Sequence, residues 1–119
     1  MKYNFNLKIR DIDYNINVKT KFRNDEFEDV IVKGKAKSKY NNYSLFITIA
    51  EKPYNKDFHE VNKRLGIVTL EEIDKMTNEE LKEHIKKRVE YELMKNIEYD
   101  EEQLRHMNLT DRLKNRFND

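Results

Sequence analysis

Cysteine is absent from this 119-residue chain, which excludes disulfides, a thiol nucleophile and any thiolate metal site. Glycine occurs only as Gly34 and Gly66, too few and too far apart for a glycine-rich phosphate loop. Proline occurs once, at Pro53, and tryptophan not at all. No apolar run approaches the roughly eighteen residues that span a bilayer, and no signal-peptide core follows Met1. The expectation is a cytoplasmic protein with no membrane partner.

What the chain has in quantity is charge. Charged residues make up 39% of it against 37% hydrophobic, a balance that can signal disorder. The apolar residues nevertheless fall at strand and helix spacing, which argues for one ordered domain over 1–119. A net charge of +1 conceals two unlike halves. Residues 1–68 carry 14 Lys/Arg against 9 Asp/Glu, a net of +5, and residues 69–119 carry 10 against 14, a net of −4. Abundant Lys, Asn, Ile and Tyr suggest an AT-rich coding sequence of the kind found in low-GC bacteria and their phages.

Residues 1–50 read as strands. Tyr3, Phe5, Leu7 and Ile9 alternate with polar residues, and the pattern resumes at Tyr14, Ile16, Val18, Thr20 and Phe22 after a turn at Asp11-Ile12. That turn sets Ile9 opposite Tyr14, Leu7 opposite Ile16 and Phe5 opposite Val18, all on one face. Asn41-Asn42 suits a second tight turn, with Ser38 opposite Leu45, Ala36 opposite Ile47 and Gly34 opposite Ile49. Short connections then imply a four-stranded antiparallel meander.

Beyond Pro53 the period becomes helical. Phe58, Val61 and Leu65 share a face, and Gly66 is placed to stop that helix. Thr69 with Glu72, and Thr77 with Glu80, match the capping-box pattern. Leu81, Ile85, Val89, Leu93 and Ile97 form the stripe of a long helix from about Asn78 to Glu98, with Asp100 capping a separate last segment. The fold class expected is two-layer α+β: an antiparallel meander over 1–50, covered on one face by helices over 55–119. Within 100–119, Leu104, Met107, Leu109, Leu113 and Phe117 make an amphipathic surface. It either packs back on the long helix or projects as an arm for homodimerisation or groove binding. The marginal stability of so short an isolated helix favours packing back.

The uncovered sheet face is the main candidate for function. Lys33, Lys35, Lys37 and Lys39 alternate with small residues, so a strand would align four ammonium groups. Lys19, Lys21 and Phe46 fall on the same face, among Lys2, Asn4, Asn6, Lys8, Asn15 and Asn17. These residues suit phosphates or an acidic protein surface. The plainer reading is a solvated face that stays soluble and discourages edge pairing. Phe46 is the single aromatic placed for base stacking, arginine is scarce on the sheet, and no nucleic-acid-binding motif is present.

Catalytic signals are weak. His59, His84 and His106 fall in three expected helices without ligand spacing, and His59-Glu60 lacks the second histidine of a metalloprotease helix. Glu71-Glu72, Glu79-Glu80 and Glu101-Glu102 occupy first helical turns, where they complement the helix dipole. No catalytic residue, metal ligand or cofactor is assigned. The leading expectation is a small non-enzymatic protein-binding factor, such as a phage or mobile-element inhibitor of the anti-CRISPR type acting on a host nucleoprotein complex. The alternative is a nucleic-acid-binding regulator using the lysine face. A metal-dependent enzyme at the histidines ranks below both.

Overall fold

The computed structural model describes residues 1–53 and 56–118, apart from the side chains of Lys56, Phe58 and His59. Expectations about the Phe58 and His59 side chains therefore lie outside the described residues. Strands β1 (Lys2–Ile9), β2 (Ile12–Arg23), β3 (Asp29–Lys37) and β4 (Asn42–Glu51) form the expected antiparallel meander. A short fifth strand, β5 (Val68–Thr69), pairs parallel to β4. Its two residues carry no period of their own, which is why the sequence does not announce it. Helix α1 (Lys56–Leu65) connects β4 to β5, followed by α2 (Leu70–Asp74) and α3 (Asn78–Phe117). The class is two-layer α+β.

Both hairpin registers differ from expectation. The first turn is Arg10-Asp11, with φ of 51° and 64°, so Ile9 faces Ile12 and Leu7 faces Tyr14. Positive φ at two consecutive residues matches the twist of a two-residue hairpin, but neither residue is the Gly or Asn that usually marks one. The second connection is the four-residue loop Ser38–Asn41 rather than an Asn41-Asn42 turn. The Ser38 hydroxyl accepts the amides of Tyr40 and Asn41 at 3.1 and 2.9 Å, closing the loop locally. Ala36 therefore faces Tyr43 and Gly34 faces Leu45. Both slips are even, by two and four residues, so the paired residues keep their expected faces, apart from Ile31, expected on the open face but buried beside a β-bulge, and Lys39, which leaves the strand.

The core lies between the sheet and the first half of α3. Phe5, Tyr14, Ile16, Val18, Leu45, Ile47 and Ile49 meet Ile85, Val89, Leu93 and Ile97. Each helix boundary has a local cause. Thr77 and Glu80 form a complete capping box at the start of α3, and the Thr69 hydroxyl accepts the Glu72 amide at the start of α2. Gly66, at φ 85°, ends α1, with its amide bonded to Lys63 O and the Ile67 amide to Asn62 O. Arg88 of α3 is buried. Its guanidinium donates to Thr48 O at 3.0 and 3.1 Å and to Leu65 O, joining the helix to β4 and to the end of α1.

The largest departure concerns α3. It runs unbroken for 40 residues, with no cap at Asp100 and no interruption at 108–110. Its buried residues stop at Ile97, and from residue 98 to 118 no side chain is buried. Of the segment 100–119, expected to pack back, the described residues 100–118 project. The molecule measures 63 × 34 × 24 Å with a radius of gyration of 18.1 Å. A compact domain of this length would have about 13.5 Å. Tyr43 donates to Asp100 at 2.9 Å, and Arg10 pairs with Glu98 and Glu101, pinning the base of this arm to the sheet.

Candidate anion-binding sheet face

Alternation along four strands brings even residues of β1 and β4 and odd residues of β2 and β3 onto the face that α3 leaves open. The registers arrange them in rows. Lys2, Lys19, Lys33 and Phe46 lie level across β1 to β4. The next row holds Asn4, Asn17, Lys35 and Ser44, and the third Asn6, Asn15, Lys37 and Asn42. All twelve side chains are exposed. They include five lysines and no carboxylate.

Adjacent strands are about 4.8 Å apart, and alternate residues on a strand about 6.6 Å apart. Lys2, Lys19 and Lys33 are thus like charges set directly against one another, an unfavourable arrangement in an isolated sheet. Beside them the asparagines bond among themselves. Asn4 Nδ2 donates to Asn17 Oδ1 at 2.6 Å and Asn17 Nδ2 to Asn15 Oδ1 at 2.8 Å. Asn15 Nδ2 donates to Asn4 and Asn6 at 3.2 and 3.1 Å. The amides are held by one another, leaving the lysines to reach outward. A shallow depression of about 550 Å³ lies among Lys2, Asn4, Asn17, Lys19, Lys33 and Gly34. A Cβ at Gly34 would stand 1.9 Å from Asn17 O, so glycine alone permits this approach of β3 to β2.

The structure brings together most of the expected site and separates two members. Lys19, Lys33, Lys35 and Lys37 cluster as described. Lys39 falls in the Ser38–Asn41 loop, outside the strand row, with its Nζ 6.0 Å from the Tyr40 ring. Lys21 lies one row beyond the cluster, level with buried Ile31. Phe46 is 58% exposed, and the Arg23 guanidinium stands 5.2 Å from its ring and 4.9 Å from that of Phe27. Arg23 also holds Asp29 at 2.8 and 2.6 Å, so this corner is an ordered ion pair under two rings. Lys2, on the first strand, completes the lysine row. Its place could be read only once the register of all four strands was known.

His84 and His106 do not converge. His84 and His106 lie on one helix rather than two, 22 residues and about 33 Å apart. His84 Nε2 is 2.8 Å from Ile49 O, and burial pushes its pKa below the ordinary value, so it serves as a neutral donor to β4. His106 is exposed on the arm. No group of His, Asp or Glu among the described residues could hold a metal ion. Burial, then the bond to Asp100, raises the Tyr43 hydroxyl to about 12 and keeps it protonated. Near the far edge, burial raises the Glu51 carboxyl, which accepts from Asn62.

Chemically the face offers ammonium donors and fixed amides. That set can neutralise phosphate or carboxylate oxygens. Among the described residues, no helix is long and apolar enough to cross a membrane. Compared with protein-family models, curated proteins and solved structures, the chain matches none.

Proposed function

We propose that the protein is a non-enzymatic binding factor whose open sheet face docks the phosphate backbone of a nucleic acid. One observation carries this reading: three successive rows hold five lysines and no carboxylate, with three of the lysines opposed across neighbouring strands. A sheet needing only solubility has no cause to oppose like charges, because interspersed acids would solvate it as well. Lysine supplies point charges without bidentate geometry, so the contact would be insensitive to sequence.

The test is binding to labelled duplex DNA and RNA across a salt series. Five neutralised phosphates give a logarithmic salt slope of about −4.5, or about a 500-fold loss between roughly 50 and 200 mM salt. Changing Lys2, Lys19, Lys33, Lys35 and Lys37 together to Gln should abolish binding and raise the melting temperature by relieving repulsion. Unchanged binding by that variant would sink the proposal.

A second reading is a small inhibitor, of the phage or mobile-element kind that includes anti-CRISPR proteins, docking the same face on an acidic protein surface. Its support is the shortage of base-reading groups: no arginine stands in the lysine rows, and Phe46 is already engaged by Arg23. Absence of nucleic-acid binding at low salt, with stable co-purification of a host nuclease, would select it.

A further inference from the structure

The projecting half of α3 has a face without a partner and a charge order that specifies one. From residue 98 to 118 no side chain is buried, although Tyr99 is 62% exposed, Leu109 45%, Leu113 46% and Phe117 70%. At about 100° per residue these four, with Glu102 and His106, fall within an arc of about 80°. That arc lies about 140° around the helix from the Ile85–Val89–Leu93–Ile97 stripe. The seam therefore points away from the chain's own sheet, and no described residue covers it. Leu104 and Met107 stand off this seam, on the line that continues the core stripe.

The segment is also a poor candidate for a helix held by propensity alone. Asn108, Thr110, Asp111 and Asn115 are weak helix formers, and the Thr110 hydroxyl bonds back to His106 O at 3.0 Å. Charge along the arm is segregated. Glu98, Asp100, Glu101 and Glu102 lie at its base, where Arg10 is the one cation paired with them among the described residues. Arg105, Arg112, Lys114 and Arg116 lie beyond, with Asp111 and the terminal Asp119 as the acids there.

We propose that the arm pairs antiparallel with the arm of a second copy of this chain. Two arms laid antiparallel about Met107 set Glu98 level with Arg116 and Glu102 with Arg112, while Asp100 stays on the sheet side with Tyr43. Two-fold symmetry repeats both pairs. Glu98 and Arg116 are eighteen residues apart, about five whole turns, so they share one side of the helix and meet across the same flank of the seam. Parallel arms would set acid against acid and base against base. The overlap over 98–117 is about 30 Å long and covers Tyr99, Leu109, Leu113 and Phe117 of each arm. It places the two sheets at opposite ends of a rod.

Sedimentation equilibrium of the full chain over a concentration series should show conversion from 14.6 kDa to twice that mass. Changing Arg112 and Arg116 together to Glu should weaken association at least about tenfold. Mixing that variant with the Glu98→Lys/Glu102→Lys variant should restore a heterodimer. Because the chain has no cysteine, a spin label on Asn118→Cys reports orientation directly. Antiparallel arms separate the labels by about 33 Å, whereas parallel arms bring them within about 10 Å. Changing Leu109, Leu113 and Phe117 to Ser should give a folded monomer. A monomer into the millimolar range, or a short label distance, would overturn the proposal.

Discussion

The two halves of α3 share one backbone, one capping box and a similar density of charge, yet only the first is part of the core. Residues 78–97 bury Ile85, Val89, Leu93 and Ile97 on the sheet, and Arg88 is enclosed by carbonyls of β4 and α1. Residues 98–117 present comparable apolar side chains to solvent. The sheet decides the difference. Its strands end where Tyr43 and Arg10 touch Asp100, Glu98 and Glu101, and beyond that point there is no surface to cover. The arm stays helical without that surface because the anchored half has already met the cost of nucleation, and extension adds a bond per residue. Periodicity alone thus specifies a helix but not its environment.

Matched substitutions in the two halves can break or sharpen this contrast. Leu93→Ala should destabilise the domain by about 2–5 kcal/mol in denaturant unfolding, because it opens a cavity in a filled core. Leu113→Ala should change domain unfolding by less than about 0.5 kcal/mol. Equal effects would mean that the arm belongs to the core after all.

Arginines give a second pairing. Arg88→Leu leaves the Thr48 and Leu65 carbonyls buried without their donor, and should cost about 2–3 kcal/mol. Arg112→Leu, on the exposed arm, should leave domain unfolding near its parent value. A mild Arg88→Leu would show that water reaches those carbonyls.

Histidines offer the smallest and most specific difference. The folded-state pKa of His84 lies below the ordinary 6.5, so the unfolded chain takes up a proton that the folded domain resists. Stability from this group is full above about pH 6.5 and falls as pH drops toward the folded value, by at most about 1.4 kcal/mol per pH unit. His84→Gln should flatten that part of the stability–pH profile, and His106→Gln should not. A profile unchanged by His84→Gln would mean that the imidazole is not held neutral.

Much of the fold was legible in local patterns. Tyr3, Phe5, Leu7 and Ile9 on one side, and lysines and asparagines on the other, define a two-sided sheet whatever the register. Thr77 with Glu80, and Gly66 after Leu65, mark helix ends through groups only a few residues apart. The registers were less legible, since a slip by two or four residues leaves every face intact and the hydrophobic pattern cannot detect it. The Arg10-Asp11 turn carries neither Gly nor Asn, and Ser38 closes its loop through a hydroxyl turn that the Asn41-Asn42 signal drew attention away from.

The candidate site divides in the same way. Lys33, Lys35 and Lys37 stand in line because a strand has period two, so their row follows from sequence alone. Lys2 and Lys19 join them, and Lys39 leaves them, because of how the strands pair. What the sequence by itself determined was the type of the longer elements, the face of most strand residues and the absence of thiol chemistry, all properties of neighbouring residues. Tertiary structure alone decided that Lys2 and Lys19 join that row, that His84 and His106 cannot share a metal, and that half of α3 stands free. Those outcomes depend on where the sheet begins and ends in space, which no local pattern records.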